Sequence, residues 1–321
     1  MEAELNADPS KFEGCLLGLA IGDALGMPFE GLRAPWIVSK LGHKVDDFYP
    51  GKENGLRAGQ WTDDTKMALQ LARSIIRSGG RVDSADIARA YLEWFDTGDL
   101  RGIGHTTIES ILRLKKGALW SESGKTGEYA AGNGTAMRCA PIGLLFCDKP
   151  DKLKDESRAD AIITHNNEEA VAGSRAINFF VARGVCQNDL KEASPALIDE
   201  CVKFIGPCKV AERLALAKKL LLEGVATGAA IHTLGTGGYV VETVASAVFC
   251  FLKTPGDFET TAISAVMGGE DADTTAAVAG AISGAWNGTW GIPLRWIERV
   301  EDSAEIRSIA GKLFNCWQSE K

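Results

Sequence analysis

Thr62-Asp63-Asp64-Thr65 opens the run Lys66-Met67-Ala68-Leu69-Gln70-Leu71, and Asp271-Ala272-Asp273-Thr274 opens Thr275-Ala276-Ala277-Val278-Ala279. Each stretch sets carboxylates beside threonine hydroxyls and then enters an apolar run with helical spacing. Asp and Thr at a helix start are ordinary caps and dipole partners. Two clusters of matching layout point further, because unpaired buried carboxylates are expensive unless a cation compensates them. Only oxygen donors are on offer, with no Cys or His alongside. That favours Mg²⁺ or Mn²⁺, with Ca²⁺ open, over Zn²⁺ or copper. The chain then reads as helices that bring the two clusters together.

With 321 residues, 45% of them hydrophobic and 24% charged, the sequence holds ample material for a core. Lys+Arg 35 against Asp+Glu 43 leaves a net charge of −8. This argues against nucleic acid or an anionic membrane as the main partner. The acidic start, Met1 to Pro9, lacks a basic leader, and the apolar run Cys15 to Ile21 is too short to span a bilayer before Asp23 closes it. A cytoplasmic monomer is expected. Eight cysteines show neither CxxC pairs nor zinc spacing, and most sit in apolar helical runs, as reduced core cysteines do.

Ser10-Lys11-Phe12-Glu13 has the capping-box pattern and predicts a helix start. That helix carries Gly14, Gly18, Gly22 and Gly26 in register. Glycines cost helix propensity, so four in one stripe imply close approach by another helix or a ligand. Asp23 within it reads as a hydrogen-bonded core aspartate that orients a neighbouring loop. Pro28 ends the helix and places Glu30 just beyond.

Residues 31–60 show no periodicity and read as a long loop. Next comes a helix with Met67, Leu71 and Ile75 on one stripe, closed by Gly79-Gly80. A helix from Ser84 is expected to bury Ile87, Tyr91, Leu92 and Phe95, and one after Gly104 carries Ile108, Ile111 and Leu112. Further helices are predicted over 151–164, 168–185, 195–205, 208–224, 239–252, 257–266, 274–286 and 303–317. No strand-length alternation, repeat or linker stands out. The expectation is one all-α, multi-helix domain over 1–321.

Gly132-Asn133-Gly134-Thr135-Ala136-Met137-Arg138 is a glycine-flanked turn opening an apolar helix, suited to holding a diphosphate on backbone N–H groups. Four histidines are too few for a His-built zinc site, and His165 in Thr164-His165-Asn166-Asn167 reads first as a helix-end cap or packing residue. No Gly-x-Ser-x-Gly elbow, Walker loop or dinucleotide fingerprint appears. Facing carboxylate clusters bind two metal ions roughly 3.5–4 Å apart, which suits hydrolysis at an electron-poor carbon or at phosphorus. The isoprenoid synthases are a rival with two aspartate clusters, but their first cluster needs a third acid, and here it reads Asp63-Asp64-Thr65-Lys66-Met67. HD phosphohydrolases need a His-Asp dipeptide, which is absent.

The order of motifs narrows the choice. Gly18 to Gly26, Gly59-Gln60-Trp61-Thr62-Asp63-Asp64-Thr65, Gly132 to Arg138, Thr164-His165-Asn166, Gly238-Tyr239-Val240-Val241-Glu242-Thr243 and Asp271 to Thr275 follow one another. This resembles the ADP-ribosylglycohydrolase family, above all its bacterial dinitrogenase-reductase-activating members, from about residue 12 to residue 300. The resemblance implies an all-α fold around a binuclear Mg²⁺ or Mn²⁺ centre. The family's metal-binding positions match Thr62, Asp63, Asp64, Asp271, Asp273 and Thr274. Glu30 falls where a glutamate stands near the metals, a candidate general base or gating ligand beside the catalytic Asp63 and Asp273. Gly132, Asn133, Gly134 and Thr135 match the phosphate cradle, with Met137 on the same edge, and His165 and Tyr239 match positions lining the ADP-ribose pocket.

The implied activity releases ADP-ribose from a modified protein side chain, arginine first, with serine-linked or O-acetyl-ADP-ribose as alternatives. A non-catalytic crystallin-like relative and a metal-dependent phosphoesterase are the other readings. Two departures bear on the acceptor. Where nitrogenase-type members carry Asp-x-Gly-Asn-Thr, this chain has Gly102-Ile103-Gly104-His105-Thr106, so Asp99 becomes the substitute candidate for substrate binding. Glu270 stands where glycine is common and is expected to add negative charge beside the metals.

Overall fold

The computed structural model describes residues 7–51, 55–187 and 189–319. The acidic start over 1–6 and the middle of the stretch read as a long loop, 52–54, lie outside the described residues. Among the described residues there are helices and isolated bridges but no strand. The first eight α-helices are α1 (Pro9–Gly26), α2 (Ala34–Leu41), α3 (Asp63–Arg77), α4 (Ser84–Asp96), α5 (His105–Lys115), α6 (Trp120–Ser123), α7 (Ala140–Leu145) and α8 (Pro150–Ala161). Next come α9 (Glu168–Cys186), α10 (Leu197–Ile205), α11 (Lys209–Leu222), α12 (Thr227–Leu234) and α13 (Val240–Lys253). The chain closes with α14 (Phe258–Val266), α15 (Ala272–Asn287), α16 (Leu294–Ile297) and α17 (Ser303–Ser319). The protein is all-α.

The long periodic segments form helices within a few residues of the predicted bounds. The short ones differ. The stretch read as a loop contains α2, which has Pro35 in its first turn and ends at Gly42 with φ of 79°. Only Ile37 of that helix is buried, so no apolar stripe announces it. The first helix is capped by Asp8, whose side chain accepts from the Ser10 N–H, with Pro9 in the first turn. The Ser10–Glu13 capping box therefore does not form, because the helix begins one residue before its intended cap. On α4, Trp94 joins Ile87 and Tyr91 in the core, whereas Leu92 and Phe95 are half-buried. Leu112 of α5 is largely exposed.

α1 is buried on nearly every side and is long and apolar enough to cross a membrane, yet 94% of that window lies inside the protein. It is a core helix. Its glycine stripe meets α15 running antiparallel. A Cβ on Gly14 would lie 2.5 Å from the Gly284 carbonyl oxygen, and one on Gly26 would lie 2.5 Å from the Ala272 oxygen. Between them Gly18 faces Gly280 and Gly22 faces Ala276. Small residues on both helices let the backbones touch, so the stripe marks a helix partner, one of the two readings the sequence allowed. The antiparallel crossing brings the end of α1 to the start of α15, which is where Asp271 and Asp273 stand.

Candidate active site built from three helix ends

Asp23, near the end of α1, is fully buried. Its carboxylate accepts from the Thr62 N–H at 3.0 Å and the Thr62 hydroxyl at 2.9 Å. It also accepts from the Thr65 N–H at 3.0 Å and the Thr65 hydroxyl at 2.6 Å. The start of α3 has no side-chain cap of its own. Asp23 supplies that cap from a different helix and fixes the direction in which Asp63 and Asp64 project. This is the loop-orienting role its place in the small-residue helix suggests.

A cavity of about 260 Å³ opens between these ends. Glu30, Asp63, Asp64, Asp271, Asp273 and Thr274 line it. Gly132, Asn133, Gly134, Met137 and His165 line it too. The two acidic clusters therefore do meet, at the N-termini of α3 and α15. Thr62 sits one step back, with its hydroxyl shared between Asp23 and Asp64.

The acids are poorly compensated. Burial pushes the Asp63, Asp64 and Asp273 carboxyls well above the usual carboxylate range, and repulsion adds to it, first from Asp23 for Asp63 and Asp64 and first from Asp271 for Asp273. Glu30 stands at the rim, and its carboxyl is raised by burial first and then by Asp271 and Asp23. Asp64 Oδ1 is buried without a hydrogen-bond partner. Asp273 accepts from the Thr274 N–H at 2.9 Å, and Asp271 accepts from the Asn133 side-chain amide at 2.7 Å. Among the described residues no group of three or more His, Cys, Asp or Glu side chains is gathered closely enough to hold a metal ion by itself. An orphaned buried carboxylate oxygen in an all-oxygen, hydroxyl-flanked cavity nevertheless fits a hard divalent cation and suits softer metals poorly.

The glycine turn is held from both sides. Asn133 donates its N–H to the Gly238 carbonyl at 3.1 Å, so that amide is not free for a ligand. Its side chain spans Thr243 and Asp271. Thr135 is fully buried and donates its hydroxyl to the Ala170 carbonyl at 2.7 Å, so it secures the cradle from behind and does not line the cavity. Beneath, Arg138 and Asp160 form a fully buried ion pair at 3.0 Å, and Arg138 also donates to the Gly134 carbonyl and to the Thr164 hydroxyl. Nothing in the sequence around Arg138 signals this role. A buried arginine is recognisable only through its acid, and Asp160 lies one helix away.

His165 is packed against the turn, and a Cβ on Gly134 would lie 2.7 Å from its Cε1. Its Nδ1 is 2.8 Å from the Thr164 hydroxyl. Arg138 can only donate to that hydroxyl, which frees the hydroxyl proton for Nδ1 and assigns the ring proton to Nε2, an assignment made from the network. Burial, followed by Arg138 and Lys125, pushes the imidazole down to about 3, so the ring is neutral. It lines the cavity as well as packing.

Three expected positions fall elsewhere. Tyr239 pairs with Gly132 across an isolated bridge and lines an adjoining cleft of about 700 Å³, not the acidic cavity. Asp99 is exposed and its carboxylate is held by Arg101 at 3.0 Å, so it lines neither hollow and does not replace the acid missing at Gly102. Gly102 has φ of 77°, and a Cβ there would lie 2.6 Å from Asp63 Oδ1. The site has no room for the missing side chain. Glu270 has φ of 55°, which explains why glycine suits the position, and its exposed carboxylate turns to Arg33 at 3.7 Å and away from the cavity acids.

The family model described as ADP-ribosylglycohydrolase matches residues 4–321. The ADP-ribosylarginine hydrolase Tri1 of Serratia proteamaculans is 30% identical over 312 residues, covering 95% of this chain and 79% of its own. The ADP-ribosyl-[dinitrogen reductase] glycohydrolase of Rhodospirillum rubrum is 29% identical, covering 91% and 90%. A solved chain described as an ADP-ribosylglycohydrolase-related protein complex superposes with a TM-score of 0.78 at 29% identity, covering 96% of this chain and 98% of that one.

Proposed function

Because the chain belongs to the ADP-ribosylglycohydrolase family, we propose that it hydrolyses the bond between the anomeric carbon of ADP-ribose and a modified protein side chain, arginine-linked in the first instance. The observation that supports this is the meeting of two acidic helix starts in one cavity walled by the 132–137 turn. Thr62, Asp63, Asp64, Asp271, Asp273 and Thr274 would hold two divalent cations, Mg²⁺ or Mn²⁺. Such cations, when bound, polarise substrate oxygens and make water a better nucleophile at neutral pH.

The chain's own groups do the rest. Asp23 keeps Asp63 and Asp64 aimed inward, and Asn133 fixes Asp271. Glu30, its carboxyl raised by burial and then by Asp271 and Asp23, is placed at the rim to take a proton from the attacking water. The Gly132–Gly134 turn and the Nε2–H of His165 face the same hollow and offer donors to a phosphate or ribose oxygen. The adjoining cleft with Tyr239 gives room for the remainder of the nucleotide.

A serine-linked or O-acetyl acceptor is the second reading. Gly102, pressed against Asp63, leaves no extra acid at the cavity mouth to pair with a guanidinium. The test incubates arginine- and serine-ADP-ribosylated proteins with the enzyme, with and without Mg²⁺, and identifies the product. Release of intact ADP-ribose is expected, and Asp63→Ala or Asp273→Ala should abolish it with helix content unchanged. Near-normal turnover in either variant, or cleavage of ADP-ribose itself, would sink the proposal.

A further inference from the structure

Hydrolysis of a glycosidic bond moves two protons. One leaves the attacking water, and one reaches the departing atom of the acceptor. Glu30 is placed for the first, and the second needs a separate acid. The titratable side chains that line the acidic cavity leave little choice. Asp63, Asp64, Asp271 and Asp273 belong to the two acidic clusters, and His165 is buried and neutral with its Nδ1 turned to the Thr164 hydroxyl. The remaining titratable group among the described lining residues is His105.

His105 is the first residue of α5, three positions after the Gly102 that presses on Asp63. Its side chain is 78% exposed, so the ring can trade protons with solvent. Nδ1 stands 3.4 Å from Glu109 Oε1, one turn along the same helix, and Lys125 holds the other Glu109 oxygen at 2.9 Å. The hydrogen bond from Lys125, followed by the charges of Lys125, His105 and Arg113, keeps the Glu109 carboxyl below its usual range, so it faces the ring as a carboxylate. A carboxylate at Nδ1 keeps a proton there and leaves Nε2 to exchange its own with a ligand. An imidazole backed in this way is a common proton carrier in hydrolases.

We propose, on the reading that this cavity hydrolyses an ADP-ribosyl bond, that His105, oriented by Glu109, is the general acid that protonates the departing atom of the acceptor side chain. The bond from the anomeric carbon to the serine oxygen or arginine nitrogen breaks, and both its electrons stay with the departing atom. That atom takes the Nε2 proton. A new C–O bond forms from the water, whose proton passes to Glu30. The products are the free acceptor and ADP-ribose. Proton exchange with solvent then restores the imidazolium and the Glu30 carboxylate, so water is the one reactant consumed.

The test uses the full chain at saturating Mn²⁺ and two kinds of substrate. One is the serine- or arginine-ADP-ribosylated protein; the other is the 4-nitrophenyl glycoside of ADP-ribose, whose phenolate departs without needing a proton. His105→Gln should lower kcat on the protein substrate by on the order of 100-fold and lower it far less on the aryl glycoside, with the Mn²⁺-induced rise in Tm retained. Glu109→Gln should show the same split with a smaller loss. Equal losses of His105→Gln on both substrates would mark a structural role, and full turnover of the protein substrate would remove His105 from proton transfer; either result overturns the proposal. Failure of the natural enzyme on both substrates would strike down the hydrolase reading itself, and this role with it.

Discussion

Asp23 Oδ2 accepts both the N–H and the hydroxyl of Thr65, at 3.0 and 2.6 Å, and so ties the end of α1 to the first turn of α3. Asp23→Ala would leave the Thr62 and Thr65 amides and the Thr65 hydroxyl without their acceptor in the core. The expected loss is about 3 kcal/mol, read as a lower urea midpoint. Turnover should fall further than stability does, because Asp63 and Asp64 lose their aim. Unchanged stability would show that this cap is dispensable.

The α1–α15 seam predicts opposite outcomes for two glycines in helices. Gly22→Ala puts a methyl into the Ala276 carbonyl, where only backbone could yield. It should cost about 1–3 kcal/mol. Gly311 of α17 has open space around it and an ordinary φ, so Gly311→Ala should stabilise by roughly 0.5–1 kcal/mol. Thermal denaturation of the two variants reads both signs.

The acids should divide between metal retention and proton transfer. Mn²⁺ titration is expected to raise the Tm of the natural chain, as any ligand of the native state does. Asp64→Asn should abolish that shift while stabilising the metal-free protein, since it removes one of the mutually repelling buried charges. Glu30→Gln should keep the shift and lose turnover by on the order of 100-fold. A Glu30→Gln enzyme with full turnover would remove Glu30 from the proton-transfer role.

His165 predicts a pH signature. Its folded-state value is depressed to about 3, below the 6.5 of a free imidazole. The unfolded chain therefore binds the proton first. This contribution to stability is complete above pH 6.5 and is lost as pH falls towards 3. At pH 5 the loss is about 2 kcal/mol. His165→Gln should flatten the stability profile between pH 7 and pH 5, measured by urea midpoints at each pH.

Asn133 links the glycine turn to the second acidic cluster. Asn133→Ala should free Asp271 and the Thr243 hydroxyl from that contact, and lower kcat by roughly 10–100-fold. Steady-state kinetics at saturating Mn²⁺ would separate this from simple loss of metal affinity.

Much of this architecture was legible in the residues. The stripe from Gly14 to Gly26 announced a close helix partner, and its facing small residues in α15 supply it. The two acidic clusters announced a shared site because each begins a helix. What was missed depends on long-range pairing or on weak periodicity. Asp8 could take over as cap because Pro9 set the first turn. The exposed helix α2 has one buried residue and so no stripe. Asp99 is close to Gly102 in sequence, but Arg101 claims its carboxylate. Thr135 belongs to the cradle segment, but only the fold reveals that its hydroxyl points to Ala170.

The seam between α1 and α15 joins opposite ends of the polypeptide. During translation, the first helix emerges on the order of tens of seconds before the segment that covers it. Its apolar, glycine-notched surface has no native cover in that interval. The nascent chain is therefore a natural client for chaperones, and truncation before α15 should yield an aggregating product, not a partly active one.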